Sequence, residues 1–215
     1  MVQEMLLSQT SKHYYLSFVV LLLFFSTAVK SKTSFDYFNY IENLQSFSAS
    51  FSQYTYNEDD SLIKKSNGNI IYKKKSKYIL EYLKPNKIKF ISDGQFLTTY
   101  DEDLEQVIIQ SLGNNQNQNI VDLITNKNLI DKNFEMKSYA INGENHIKFT
   151  PKLKDSKRNI LLLVIKNNEI LKISFMNDFE QSVTMNFSNF KKNQKFLDSL
   201  FNIDYPENFD VIIDK

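Results

Sequence analysis

The chain has 215 residues, enough for one domain with a sizeable core, and its formal net charge is only +1. So small a net charge gives no strong positive electrostatic potential that would favour nucleic acid or an anionic membrane surface as a partner. Cysteine is absent, which excludes disulfides, thiolate metal sites and cysteine nucleophiles. Tyrosine and phenylalanine number 12 and 18 against 4 glycines, a composition typical of a β-rich domain.

The first 28 residues are predicted to form a cleaved secretory signal peptide. An unbroken apolar run covers residues 16–25, and the small residues Ser26 and Ala28 have the spacing of a cleavage site. A membrane-spanning helix would need roughly 20 apolar residues. We therefore expect cleavage after Ala28, with Ser31 as the second choice, and a single mature domain over residues 29–215.

A short helix is expected to open the mature domain, because Thr33 and Asp36 have capping-box spacing and apolar residues follow at helical intervals. Most of the remaining chain alternates with period two, as in FSASFSQ (residues 47–53), where the phenylalanines and the alanine share one face. This pattern predicts an antiparallel meander that curls into a barrel or half-barrel. Turn signals separate the strands at Asp93-Gly94, Gly143-Glu144, Asn167-Asn168 and Asn177-Asp178.

One segment interrupts the alternation. The polar loop GNNQNQN (residues 113–119) is the clearest break in the chain, and the apolar residues that follow it suit an amphipathic helix over residues 119–130. We expect this helix to be short and to pack on the sheet.

The stretch SDGQFLTTYDEDLEQVIIQ (residues 92–110) clusters the acidic residues Asp101, Glu102, Asp103 and Glu105, which raises the question of a metal or catalytic site. As a calcium loop the stretch fails, since Gln106 replaces the required glycine and Leu112 replaces the bidentate glutamate. A catalytic carboxylate pair would need convergence across a cleft with an apolar wall, whereas neighbouring acids at a polar turn usually face water. We interpret the stretch as two tight turns that flank a strand.

Large apolar side chains should line the inward face of half the sheet, yet few helices are available to cover them. A curved apolar sheet under a thin lid can leave room for a ligand, although an ordinary core is the alternative. In the strand after the acidic turn, Val107 and Ile109 share one face while Gln106 and Gln110 share the other. The expected inward residues are Phe47, Phe51, Tyr72, Tyr78, Leu80, Phe90 and Leu97.

Three segments within residues 47–112 read F.ASF.Q, G.I.YK and P..I.FISDGQ.L..YD.DLEQV, in this order. At this spacing they resemble the LolA family, the periplasmic carriers of outer-membrane lipoproteins. The resemblance implies a mainly β fold, an incomplete half-open antiparallel barrel covered by a short helical lid, with an apolar cavity between them for acyl chains. It also implies a periplasmic location, loading by an inner-membrane ABC transporter and delivery to an outer-membrane lipoprotein receptor.

The resemblance also suggests how the lid is held. The arginine that the family is expected to use for closing its empty cavity falls at Lys74, a point donor where arginine offers a planar fork. We expect Lys74 to donate to lid carbonyls around Leu123 and Ile124. The full set of expected lipid-cavity residues is Phe47, Phe51, Tyr72, Tyr78, Leu80, Phe90, Leu97, Val107, Ile109, Leu123, Ile124 and Phe175.

Two other functions stay open at this point. A related periplasmic lipid or glycolipid carrier with the same half-barrel would share every feature above. A carboxylate-dependent hydrolase is the second alternative, but the mature region holds a single histidine, His146, and its glycines are too scattered for a nucleophile elbow or a phosphate loop. We expect no catalytic residue, cofactor, metal or nucleic-acid partner, and we expect a monomer.

Overall fold

The structure is a computed structural model that describes residues 35–112, 120–153, 160–177 and 179–214, with only the backbone described at residues 122 and 123. Several sequence-based predictions lie outside the described residues. These are the signal peptide, the polar loop 113–119, the second residue of the turn at Asp178, and the side chain of Leu123.

In the described part of the chain, one open sheet of twelve strands forms the body of the molecule. Its strands are β1 (Ser46–Tyr56), β2 (Leu62–Lys73), β3 (Lys77–Lys84), β4 (Ile88–Asp93), β5 (Phe96–Asp101), β6 (Gln106–Ser111), β7 (Phe134–Ile141), β8 (Glu144–Pro151), β9 (Leu161–Lys166), β10 (Glu169–Met176), β11 (Ser182–Lys192) and β12 (Asp210–Asp214). The spatial order is β12-β6-β5-β4-β3-β2-β1-β11-β10-β9-β8-β7, so β12 and β7 are the two outer strands. The sheet therefore stays open, as expected for an incomplete barrel.

One strand pair departs from the expected antiparallel meander. After β11 the chain runs to the far side of the sheet, where β12 pairs with β6 in parallel. The other neighbouring strands are antiparallel, as the turn signals predicted. A parallel pair needs a long connection, and here residues 193–209 supply it.

The register of β1 to β6 decides which side chains share a face. Residues directly opposite each other in antiparallel strands project to the same side of the sheet. One row of such partners crosses six strands through Ala49, Ile70, Leu80, Phe90, Thr99 and Ile108. We call the face that carries this row the inner face, because the helices pack on it, and the opposite one the outer face.

Three short helices cover the inner face: α1 (Tyr37–Asn43), α2 (Ile120–Thr125) and α3 (Lys127–Asn133). The Asp36 carboxylate caps α1 by accepting a hydrogen bond from the Asn39 N–H at 3.0 Å. Asp36 is thus itself an N-cap, while Thr33, the other residue of the expected capping box, lies outside the described residues. Within the described ranges no helix is long and apolar enough to cross a bilayer.

The single helix predicted over residues 119–130 is instead two helices. Asn126 separates α2 from α3 in an extended conformation, and its side chain accepts a hydrogen bond from the Leu129 N–H at 3.3 Å. Asparagine favours such an N-cap over a helix interior because its side chain competes for backbone hydrogen bonds. The apolar faces of α1, α2 and α3 join the inner face of the sheet in one core cluster.

Candidate functional site

The inner face carries the seven inward residues expected from the alternation. Phe47, Phe51, Tyr72 and Tyr78 are almost fully buried, and Leu80 and Leu97 are buried as well. Phe90 is half-buried and packs against the same cluster. The register places all seven on one face: Phe47, Phe51, Tyr72, Tyr78, Leu80, Phe90 and Leu97.

Aromatic rings make up much of this wall. The Phe47 ring lies 5.3 Å from that of Tyr72, and the Phe51 ring meets Tyr82 edge-on at 5.2 Å. Gly68 makes room for the Phe51 ring, because a Cβ there would lie 2.5 Å from Phe51 Cζ and 2.0 Å from the Glu81 carbonyl oxygen. The glycine therefore fixes how deeply Phe51 sits in the wall.

One polar contact is built into the same wall. The Tyr82 hydroxyl donates to Gln53 Oε1 at 2.8 Å. Burial raises the pKa of Tyr82 to about 12, so this hydroxyl stays protonated at neutral pH and keeps its role as donor.

Two expected cavity residues lie on the other side of the sheet. The unbroken register pairs Tyr100 with Val107 and Thr98 with Ile109, which places both apolar residues on the outer face. Val107 is nevertheless fully buried, and on the same face Phe209 of the C-terminal segment (residues 193–214) stacks 5.2 Å from the neighbouring Tyr100 ring. The assignment of Val107 and Ile109 to the cavity is therefore corrected: burial here comes from the outer-face cover.

On β6 the inner face instead carries Gln106, Ile108 and Gln110, with Thr99 opposite Ile108 on β5. All four side chains are half-buried. Sequence analysis grouped the two glutamines correctly on one face but assumed that the apolar face pointed inward. Tracing the register from Leu80 through the connections at residues 85–87, 94–95 and 102–105 would have found the reversal.

The remaining expected cavity residues lie on the lid and on the other half of the sheet. Ile124 of α2 is almost fully buried in the core cluster. Phe175 of β10 is half-buried and packs against the same cluster. The structure thus brings Ile124 and Phe175 together with the wall of β1 to β5.

α1 is hydrogen-bonded to both of the other helices and to the turn between β2 and β3. The buried Tyr37 hydroxyl donates to the Ile124 carbonyl oxygen of α2, and burial raises the pKa of Tyr37 well above its usual value. Glu42 accepts from Lys127 Nζ of α3 at 3.0 Å. Lys74 Nζ, in the turn between β2 and β3, donates to the Glu42 carbonyl oxygen at 2.5 Å. No local signal in the sequence marks Tyr37 for this role, because only the tertiary fold brings it to α2.

Lys74 thus contacts α1 rather than the helix that carries Leu123 and Ile124. Its ammonium lies on the last turn of α1, and its backbone N–H donates to the Gln45 carbonyl just beyond that helix at 2.9 Å. A cation at the carbonyl end of a helix is electrostatically favourable. The carbonyl of Ile124, which was expected to accept from Lys74, accepts from Tyr37 instead.

A cavity of about 320 Å³ opens at the seam between α1 and the sheet, apart from the apolar wall. The Tyr40 hydroxyl crosses this seam to the Asn168 carbonyl at 3.4 Å. The lining of this cavity combines polar and apolar side chains and is rich in asparagine: Phe35, Asp36, Asn39, Tyr40, Asn43, Leu44, Asn168, Lys192 and Asn193.

The acidic stretch forms turns, as the sequence predicted. Gly94 has a φ of +95° in the two-residue connection between β4 and β5. In the next turn Asp101 Oδ1 accepts from the N–H groups of Asp103 and Leu104, each at 3.0 Å. Across the residues with described side chains, no group of three histidines, cysteines or acids is arranged to hold a metal ion.

Comparison with known proteins identifies relatives over most of the chain. Residues 42–204 match the family described as outer membrane lipoprotein carrier protein LolA. A relative from Nitrosomonas europaea, named outer-membrane lipoprotein carrier protein, is 26% identical over 191 residues, covering 88% of this chain and 90% of its own. A relative of the same name from Nitrosospira multiformis is 27% identical over 176 residues, covering 81% and 85%. The crystal structure of an uncharacterized conserved protein from Thermus thermophilus shares the fold, with a TM-score of 0.53 at 11% identity over 83% of this chain and 97% of the other.

Proposed function

Because this chain belongs to the LolA family of outer-membrane lipoprotein carrier proteins, we propose that it binds the acyl chains of lipoproteins between the inner face and helices α1 to α3. The observation that carries the proposal is the breadth of the apolar inner face, which is covered by helices of only six or seven residues. Helices this short have little stability of their own and depend on the surface they cover. A lid of this kind can separate from the sheet without loss of a long helix.

The packed interior also limits how tightly a cargo binds. Each methylene transferred from water into an apolar site contributes about 0.8 kcal/mol, so full burial of two or three acyl chains in an empty cavity would be nearly irreversible. Here the lid helices and the aromatic wall already fill the space between them. Acyl chains must displace those contacts, and this cost lowers the net affinity to a range that permits delivery.

The rest of the transport route follows from the carrier role. We infer that residues 1–28 direct secretion and are removed, and that the mature protein works in the periplasm. Its scattered glycines form no nucleotide-binding loop, so an inner-membrane ABC transporter supplies the free energy of loading. An outer-membrane lipoprotein receptor takes the cargo at the other end.

Recovery of cargo from the periplasm tests this function. The tagged full-length chain is expressed with its own signal, purified from the periplasmic fraction, and its co-purified material is identified by mass spectrometry. We expect lipid-modified proteins. Recovery of free lipids alone would instead indicate a lipid or glycolipid carrier, and recovery of neither would contradict the proposal.

A matched pair of substitutions sharpens this experiment. Leu80→Glu places a carboxylate among the buried apolar residues of the inner face, and burying it uncompensated costs several kcal/mol. Phe96→Glu places the same group on the outer face of β5, where Phe96 is 45% exposed. We expect Leu80→Glu to lose cargo and Phe96→Glu to retain it. Thermal unfolding of both variants separates lost binding from lost folding.

A further inference from the structure

We propose that Thr99, Gln106 and Gln110 form a polar stripe on the inner face that binds the ester and amide carbonyls at the head of an acylated cargo. This inference rests on the proposed function and adds the part of the cargo that the sheet recognises. The apolar wall then holds the chains, and the polar stripe fixes where the chains begin.

The placement of the stripe follows from strand register. Thr99 lies opposite Phe90 on one side and opposite Ile108 on the other. Gln106 and Gln110 flank Ile108 on β6, so both are diagonal neighbours of Thr99. Diagonal neighbours of this kind lie about 7–8 Å apart, within reach of one ligand head. The three polar side chains therefore border the apolar wall on its β6 side.

The hydrogen-bonding groups of the stripe are largely available. Over the described residues, neither the Thr99 hydroxyl nor the Gln106 amide has a side-chain hydrogen bond, although both side chains are half-buried. Gln110 Nε2 donates to Asp214 Oδ2 at 3.2 Å, which leaves its second N–H and its carbonyl. Half-buried groups of this kind hydrogen-bond to water where the protein offers no partner.

Entry of acyl chains changes the hydration of the polar stripe. The chains displace water from the inner face, and a half-buried hydroxyl or amide that loses its water without a new partner is destabilising. Ester and amide carbonyls are acceptors that match the Thr99 hydroxyl and the glutamine N–H groups. An acylated head group therefore replaces the displaced water, whereas a plain hydrocarbon does not.

Carboxylates near the polar stripe determine which head-group charge the stripe can accept. Asp101 lies opposite Gln106 on β5, and β12 brings Asp210 beside Gln106 and Asp214 beside Gln110. These acids repel a carboxylate or phosphate head at close range. The stripe is therefore suited to neutral carbonyl groups, as in acyl esters and amides, and disfavours free fatty acids.

A pair of lipids that differ only in their carbonyls tests the inference. Binding of a diacylglycerol to the purified mature chain is compared with binding of the dialkyl ether of glycerol with equal chain length. We expect wild type to prefer the ester by about tenfold, since the ether lacks the carbonyl acceptors and more than one hydrogen bond is lost. A triacylated lipopeptide of neutral sequence should bind at least as well as the ester, and binding of the ester without binding of the lipopeptide would instead indicate a glyceride carrier.

Substitutions locate the preference. Thr99→Val combined with Gln106→Leu should reduce the ester–ether ratio to within about twofold, because the ester loses its donors while the ether no longer leaves polar groups without a partner. Thr98→Val, on the outer face of the same strand, is the matched control and should keep the wild-type ratio. Equal binding of ester and ether by wild type, or an unchanged ratio in the double variant, would overturn the polar stripe alone. Failure of wild type to bind the lipopeptide and both lipids would overturn the proposed function together with it.

Discussion

Tyr37 shows how one hydroxyl can determine the position of a lid. It is almost fully buried, its ring packs edge-on against Phe149 at 5.3 Å, and its hydroxyl joins α1 to the Ile124 carbonyl of α2. Phenylalanine would keep the ring contacts and remove only the hydrogen bond. The consequences of that bond can therefore be measured separately from those of packing.

We expect Tyr37→Phe to lower the free energy of unfolding by about 1 kcal/mol, because it leaves a buried carbonyl of α2 without its donor. Urea denaturation gives this value, and amide hydrogen exchange should show faster opening of α2. Tyr40→Phe is the matched control in the same helix, since the Tyr40 hydroxyl makes only a 3.4 Å contact at the exposed seam. Equal effects of the two changes would show that the Tyr37 hydroxyl does not hold α2.

Lys74 allows a second prediction at this scale, on release of cargo. Lys74→Leu removes the hydrogen bond to the Glu42 carbonyl and so destabilises the closed lid relative to the loaded, open form. A ligand that prefers the open form then binds more tightly, so delivery to acceptor membranes should slow on the order of fivefold. Lys74→Arg should restore delivery because its fork offers more donors to the same region. Lys75→Leu, in the same turn but exposed, should leave the rate unchanged.

At the scale of the element, the alternation of β1 to β5 predicted the inner face correctly, because the large apolar residues of β1, β2 and β3 repeat with period two on that side. For β6 the same reasoning predicted the wrong inward face. The C-terminal segment covers its outer face, so Val107 is buried there while Gln106 and Gln110 face inward. The parallel pairing of β12 was equally hidden, because nothing local in residues 193–209 specifies the strand they reach.

The contact of β2 with β1 and β3 depends on Gly68. A methyl group at this position would meet the Glu81 carbonyl and the Phe51 ring well inside van der Waals distance. We expect Gly68→Ala to destabilise the protein by about 1–3 kcal/mol, as overpacking does. Gly143→Asn is a useful comparison, because that turn has open space and asparagine tolerates its φ of +78°. Similar denaturation midpoints for the two variants would contradict the tight approach of β2.

The C-terminal segment is fastened to the sheet by charge. Asp198, in the 3₁₀-helix Asp198–Phe201, lies 2.6 Å from Lys73 Nζ and 3.2 Å from Lys77 Nζ. Hydrogen bonds from these two lysines lower the pKa of Asp198 below its ordinary value. A carboxyl group whose pKa is lower in the folded state stabilises the fold above its unfolded pKa, and that contribution is lost as pH falls through the folded value.

Stability measured against pH tests this fastening. We expect wild type to exceed Asp198→Asn in urea resistance at pH 7, with the difference shrinking as the pH falls below about 3.9, the ordinary pKa of aspartate. High salt should also shrink it, because the pair is exposed. A difference that persists at pH 2 and in 1 M salt would show that Asp198 acts through packing or backbone geometry rather than charge.

At the scale of the whole molecule, the family resemblance and the alternation together predicted an open, mainly β barrel with a helical cover. The sequence could not predict how the lid is held, since Tyr37 and Ile124 lie 87 residues apart and meet only in the folded chain. The polar stripe could not be predicted from the sequence either. The local pattern shows which residues share a face, but only the register across several strands shows which face is inside.

The central claim is that acyl chains occupy the space between the inner face and the lid. Its most direct test is photo-crosslinking in the periplasm with benzoylphenylalanine placed at Phe90, which is half-buried on the inner face, or at Phe96, which is exposed on the outer face of the next strand. Both changes enlarge a phenylalanine, so they form a matched pair. We predict crosslinks to lipid-modified proteins from position 90 and none from position 96. Crosslinks from position 96 alone, or from neither position while lipoproteins still co-purify, would contradict a cavity on the inner face.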